Sequence, residues 1–140
     1  MRRHIYPDVV HNQDLVCLPP KATARAAARL MADKHVSSVL VMEKGQLLGI
    51  VTVRDIARRI VGEGRNADRT RLPEIMTADP VCVASDEPPM TALRKMKDGG
   101  FRHLPVERAG EIVGLAVRSD FNSEEEQCLQ FEDSLWENMR

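Results

Sequence analysis

A seven-residue segment, Gly49-Ile50-Val51-Thr52-Val53-Arg54-Asp55, carries the most chemistry in this chain. Its apolar run reads as the end of a strand, and the residues after it read as the start of a helix. Such a junction leaves backbone N–H groups unpaired and favours anions. Thr52 and Asp55, three apart, can reach one small ligand. A hydroxyl with backbone amides suits a phosphate, and a carboxylate accepts two hydrogen bonds from a ribose diol. The same spacing also suits a local helix cap. Both readings stand on the heptapeptide alone.

Other chemistry is sparse. The four histidines (His4, His11, His35 and His103) show no HExxH spacing. No P-loop or dinucleotide fingerprint is present. No catalytic residue and no metal ligand is expected. Cys17, Cys82 and Cys128 are an odd set without CxxC spacing, which argues against a disulfide framework or a zinc site. Cys17 and Cys82 sit in short apolar runs and are expected to be buried, reduced thiols, consistent with a cytoplasmic location.

The elements that position Thr52 and Asp55 occur twice. Residues 14–56 laid on residues 79–121 without a gap give 11 identities in 43 positions, among them Cys17/Cys82, Val41/Val106, Gly45/Gly110, Gly49/Gly114 and Asp55/Asp120. Unmatched positions mostly keep their character, as in Leu47/Ile112 and Ile50/Leu115. A tandem repeat means that each copy has an apolar face needing a partner. Two copies also offer a cleft between them, where small ligands often sit.

Each copy reads as strand, helix, strand, strand, helix. Leu15-Val16-Cys17-Leu18 and Val81-Cys82-Val83 are short strands. Helices follow, over 21–34 with Ala27, Leu30 and Met31 on one face, and after Asp86-Glu87-Pro88 with Leu93 and Met96 on one face. Gly99-Gly100 end the second of these. Strands over 36–42 and 101–106 turn at Gly45 and Gly110 into strands over 47–52 and 112–117. Ile56 and Ile60 share one side of the next helix. The chain divides into an extension (1–7), a first repeat (8–62), a polar linker (63–71), a second repeat (72–122) and a C-terminal amphipathic helix (123–140). A lead-in, Leu72-Pro73-Glu74-Ile75-Met76-Thr77, precedes repeat two. Its degenerate counterpart is Asp8-Val9-Val10-His11-Asn12, in which Val10 matches Ile75.

Composition agrees with an α/β (α+β) module. An apolar fraction of 43% supports a packed interior, and a net charge of −1 gives no sign of a nucleic-acid or membrane-surface binder. No run approaches the roughly 18 apolar residues of a spanning helix.

Tandem copies of this unit, with GIVTVRD closing the first, resemble a pair of cystathionine β-synthase (CBS) domains, the Bateman module. Supporting pieces are Glu74-Ile75-Met76-Thr77 before Pro80-Val81-Cys82-Val83, the Arg102-His103-Leu104-Pro105-Val106 strand and the Gly-x-x-Thr-x-x-Asp ending. The resemblance spans 8–121. It implies two βαββα repeats related by a pseudo-twofold, with two clefts that take adenosine-containing ligands such as AMP, ADP or ATP, less often S-adenosylmethionine or NAD(H). It implies a regulator of an attached or partner protein with no obligatory cofactor. A structural dimerisation or docking module with empty clefts is the alternative.

In that family each cleft combines the Thr/Ser-x-x-Asp of one repeat with the first and second strands of the other. The resemblance therefore places Thr52, Asp55, Val81, Arg102 and His103 in a main cleft. Asp55 would hold the ribose, with Thr52, Arg102 and His103 facing phosphates. Arginine beside histidine is sound anion chemistry; the plainer reading is a solvated Arg102 and a core His103. A weaker cleft would use Val16, Ser37, Ser38, Ser119 and Asp120. There Val117 replaces the hydroxyl residue, and no cation is supplied.

The tail reads as a helix with a Ser123–Glu126 capping box, and Cys128, Phe131, Leu135 and Met139 along one face beside Trp136. It is expected to fold back on its own module, the alternative being a contact with another subunit. A homodimer is expected, because the faces of the 56–61 and 24–31 helices are apolar.

Overall fold

The computed structural model describes residues 3–10 and 15–138. The first sheet orders as β1 (Cys17–Leu18), β2 (Ser38–Glu43), β3 (Gln46–Thr52) and β4 (Thr77–Ala78). β1 runs parallel to β2, and the other two pairings are antiparallel. The second sheet orders as β5 (Val83–Ala84), β6 (His103–Arg108) and β7 (Glu111–Val117), with the matching parallel and antiparallel pairings. Helices α1 (Ala24–Lys34) and α3 (Pro89–Gly99) link the parallel pairs. After β3 comes α2 (Val53–Asp55), continuing as a wider turn over Ile56–Val61; after β7 come a tight Arg118–Asp120 turn and α4 (Ser123–Asn138). This is the expected mixed α+β repeat.

Local sequence explains much of it. α1 begins at Ala24 rather than residue 21, because Thr23 is extended and its side chain caps the Ala26 N–H. Gly100 ends α3 in the left-handed region (φ 70°), and His35, its repeat counterpart, adopts φ 55° to end α1. Both hairpins turn on two positive-φ residues, Lys44-Gly45 and Ala109-Gly110, the geometry that follows the twist of the strands. Both carry a bulge at the same repeat position, after Val41 and after Val106.

The chain partitions into two compact units, 15–80 and 1–14 with 81–140. In the first, Ala27, Met31, Val39, Val41, Val51 and Ile60 pack with Leu72 and Ile75 of the lead-in to repeat two. That lead-in also adds β4 to the sheet, pairing Gly49 with Ala78, and Leu72 N–H donates to the Ala22 carbonyl at 3.1 Å. In the second unit Ile5 and Val10 pack among Val83, Leu93, Met96, Leu104 and Val106. Ile5 and Tyr6 N–H groups donate to the Glu87 and Ser85 carbonyls at 3.0 and 2.9 Å. Each lead-in thus completes the core of the unit holding the other repeat. His11, Asn12, Asp14 and Met139 lie outside the described residues.

Three expectations are corrected. The apolar faces of the 24–31 and 56–61 helices, on which the expected homodimer rests, lie inside the first unit, where Ala24, Ala27, Met31 and Ile60 are buried in its core. Cys17 is exposed and Cys82 only partly buried. Val16 and Leu18, on either side of it, pack against the core, so alternation turns Cys17 outward. The capping box of α4 is Asn122–Glu125, not Ser123–Glu126. Glu125 N–H donates to Asn122 Oδ1 at 2.9 Å, and Asn122 N–H to Glu125 Oε2 at 3.0 Å.

Candidate functional site

In unit 15–80 the sheet delivers Ser38 and Thr52 as cross-strand partners at the ends of β2 and β3. Val53 N–H donates to the Ser37 carbonyl at 3.0 Å, tying the start of α2 to the start of β2. Thr52 and Asp55 close a reciprocal cap. Thr52 N–H donates to Asp55 Oδ2 at 2.8 Å, Asp55 N–H donates to Thr52 Oγ1 at 3.2 Å, and the Thr52 hydroxyl donates to Oδ2 at 3.1 Å. Both side chains remain partly accessible. Val16 is partly buried, and its carbonyl accepts from Leu40 N–H at 3.0 Å. Ser37 is exposed. Ser38 is 2% exposed, and its hydroxyl is buried without a hydrogen-bond partner among the described residues.

The second unit repeats the arrangement with other side chains. His103 pairs with Val117 across β6 and β7, and Arg118 N–H donates to the Arg102 carbonyl at 2.9 Å. Val117 N–H donates to Asp120 Oδ2 at 2.8 Å, the backbone half of the Thr52–Asp55 cap; valine has no hydroxyl for the other half. Arg102, Ser119, Asp120 and Val81 are exposed, and His103 is half-buried.

Each unit therefore gathers, at one sheet end, residues that the family resemblance distributes between two clefts: Ser37, Ser38, Thr52 and Asp55 in one, Arg102, His103, Ser119 and Asp120 in the other. The family resemblance names Ser38 for the weaker cleft; the structure adds that it is buried opposite Thr52, its hydroxyl unpartnered among the described residues. Among the described residues no cluster of His, Cys, Asp and Glu is arranged to hold a metal, and no helix is long and apolar enough to cross a membrane.

The doubled strand-helix-strand-strand-helix unit and its paired Asp turns define a tandem-repeat module of the Bateman type. The family model for the CBS domain matches residues 7–62 and 73–124, and the chain belongs to the CBS-domain family. It is similar to CBS domain-containing protein CBSCBSPB3 of Arabidopsis thaliana, 41% identical over 99 residues that cover 70% of this chain and 18% of that protein. The meiotically up-regulated gene 70 protein of Schizosaccharomyces pombe is 44% identical over 108 residues, covering 76% of this chain and 14% of that protein. The chain thus spans less than a fifth of the length of either relative. Among solved structures, a Burkholderia ambifaria protein with CBS domains aligns with TM-score 0.79 at 29% identity, covering 84% of this chain and 90% of that one. CBS domain protein PAE2072 of Pyrobaculum aerophilum, complexed with AMP, aligns with TM-score 0.77 at 26% identity, covering 86% of this chain and 94% of that one.

Proposed function

We propose that this chain is a non-catalytic regulatory module that senses an adenosine-containing nucleotide of the AMP, ADP or ATP type and acts as a homodimer on an attached or separate protein. The observation that carries the reading is the AMP complex of the 26%-identical Pyrobaculum protein, together with the Thr52–Asp55 pair in this chain. Asp55 Oδ2 is committed to the cap, which leaves Oδ1 to accept from a ribose diol. Arg102 and His103 supply the cationic half of the main site, facing the phosphates, and Val81 supplies apolar contact. Val16, Ser37, Ser38, Ser119 and Asp120 form a weaker site for an uncharged nucleoside, because hydroxyls there lack a cation.

A thermal-shift panel of AMP, ADP, ATP, S-adenosylmethionine and NADH tests the reading. An adenine nucleotide is expected to raise the melting temperature most. Arg102→Ala is expected to weaken AMP far more than adenosine, since its contribution is to the anion. No shift with any member of the panel would favour a module whose clefts stay empty. Turnover of the bound nucleotide would make it an enzyme.

A further inference from the structure

Arg118 opens the tight turn that ends at Asp120. One step past the last pair of the ladder, His103 with Val117, its N–H donates to the Arg102 carbonyl at 2.9 Å, so two arginines meet at one sheet end. The first unit makes the same backbone bond from Val53 to Ser37, with no cation on either residue. The two guanidiniums are held differently. Arg102 is exposed and carries no ion pair among the described residues. Arg118 is partly buried, and its Nε donates to Glu126 Oε1 at 3.0 Å.

Glu126 stands on α4, which has attachments of its own. Leu129 is its one fully buried side chain among the described residues, while Phe131 and Leu135 are exposed. Arg94 pairs with Glu132 and Asp133, Lys97 with Asp133 and Arg3 with Glu125. These contacts lie on the charged face of the helix and hold it without Glu126. The Arg118–Glu126 pair is therefore one contact among several for α4, but it is the only ion pair that Arg118 makes among the described residues.

We propose that Arg118 is a second phosphate-binding cation beside Arg102, held in reserve by Glu126, and that this pair sets the preference of the site between one phosphate and several. The proposal rests on the nucleotide site put forward above and adds to it a residue and a rule of selection. A single phosphate is met by Arg102 and His103. A di- or triphosphate carries its charge further and draws the Arg118 guanidinium away from Glu126. An ion pair whose partners are both partly in water is weak, whereas arginine–phosphate contacts are charge-assisted and commonly bidentate. The exchange therefore favours the phosphate. With no anion bound, Glu126 offsets the repulsion between like charges on neighbouring strands.

Isothermal titration of the full chain with AMP, ATP and inorganic tripolyphosphate tests this. Glu126→Ala releases Arg118 and is expected to tighten ATP and tripolyphosphate about three- to tenfold, and AMP less than about twofold. Glu124→Ala removes an exposed acid of the same helix that carries no ion pair among the described residues, so it matches the change in net charge. It is expected to alter none of the three affinities. Arg118→Gln added to Glu126→Ala is expected to abolish the gain. A gain of equal size with Glu124→Ala, or one that survives Arg118→Gln, would assign it to overall charge and overturn the proposal. If AMP and ATP bind but Glu126→Ala leaves their ratio unchanged, the nucleotide site stands and the reserve cation falls. If neither nucleotide binds yet tripolyphosphate tightens in Glu126→Ala, the nucleotide reading falls and Arg118 keeps its phosphate. Binding of none of the three to either protein removes both.

Discussion

Thr52 and Asp55 hold each other at both backbone and side chain: Oδ2 of the aspartate accepts from the Thr52 N–H at 2.8 Å and from its hydroxyl at 3.1 Å. One carboxylate oxygen, Oδ2, therefore stabilises the strand-to-helix turn through both contacts. Of the two readings that the heptapeptide leaves open, the structure shows the cap.

Asp55→Ala is accordingly expected to act twice. Loss of the cap should lower stability by about 1 kcal/mol. Loss of a charged acceptor should weaken AMP about ten- to a hundredfold, as hydrogen bonds to charged groups contribute about 1.5–3 kcal/mol. Asp120→Ala removes only the Val117 N–H contact and should leave the main affinity unchanged. Isothermal titration of both variants decides between the two turns; binding lost with Asp120→Ala and retained with Asp55→Ala would reverse the assignment.

Ser38→Ala is expected to stabilise the unliganded chain by up to about 1 kcal/mol, because it removes a buried hydroxyl with no partner among the described residues. Urea denaturation measures this. A clear loss of stability would show that the hydroxyl is bonded in solution.

Gly49→Ala should destabilise the first unit by roughly 1–3 kcal/mol. An added Cβ would lie 2.8 Å from the Thr77 carbonyl oxygen, which belongs to the β4 backbone and cannot rotate aside. The denaturation midpoint should fall without loss of far-ultraviolet helix signal at low denaturant. An unchanged midpoint would mean that β4 does not sit against β3 in solution.

The three thiols should label in order. Cys17 and Cys128 are exposed and should react first with iodoacetamide. Burial, with Glu107 adding to it and Lys95 opposing, pushes the Cys82 thiol up, so less thiolate is present near neutral pH. Its alkylation should be slower and should go on accelerating as pH rises above the ordinary thiol range. Equal rates at all three sites, read by mass spectrometry, would refute this order.

The sequence by itself determined what depends on near neighbours. The hairpin glycines Gly45 and Gly110, the helix stop at Gly100 and the Thr52–Asp55 cap all act over two to four residues, so residue type and spacing suffice to read them. The doubling of the unit was equally legible, since two copies under the same packing demands keep the same apolar and glycine positions. Tertiary structure alone decided which core each lead-in completes. Val10 and Ile75 are equivalent in the repeat, yet each is fully buried with the opposite repeat. Nothing local distinguishes an apolar residue that packs on its own repeat from one that packs on the other. The orientation of α4 was hidden for the same reason. Its composition favours turning Phe131 and Leu135 inward, but the pairing of Arg94 with Asp133, 39 residues apart, fixes the helix by its charged face. A contact across that distance in sequence exists only once β6 and β7 have brought the chain back past α3, and no spacing rule along the chain contains it.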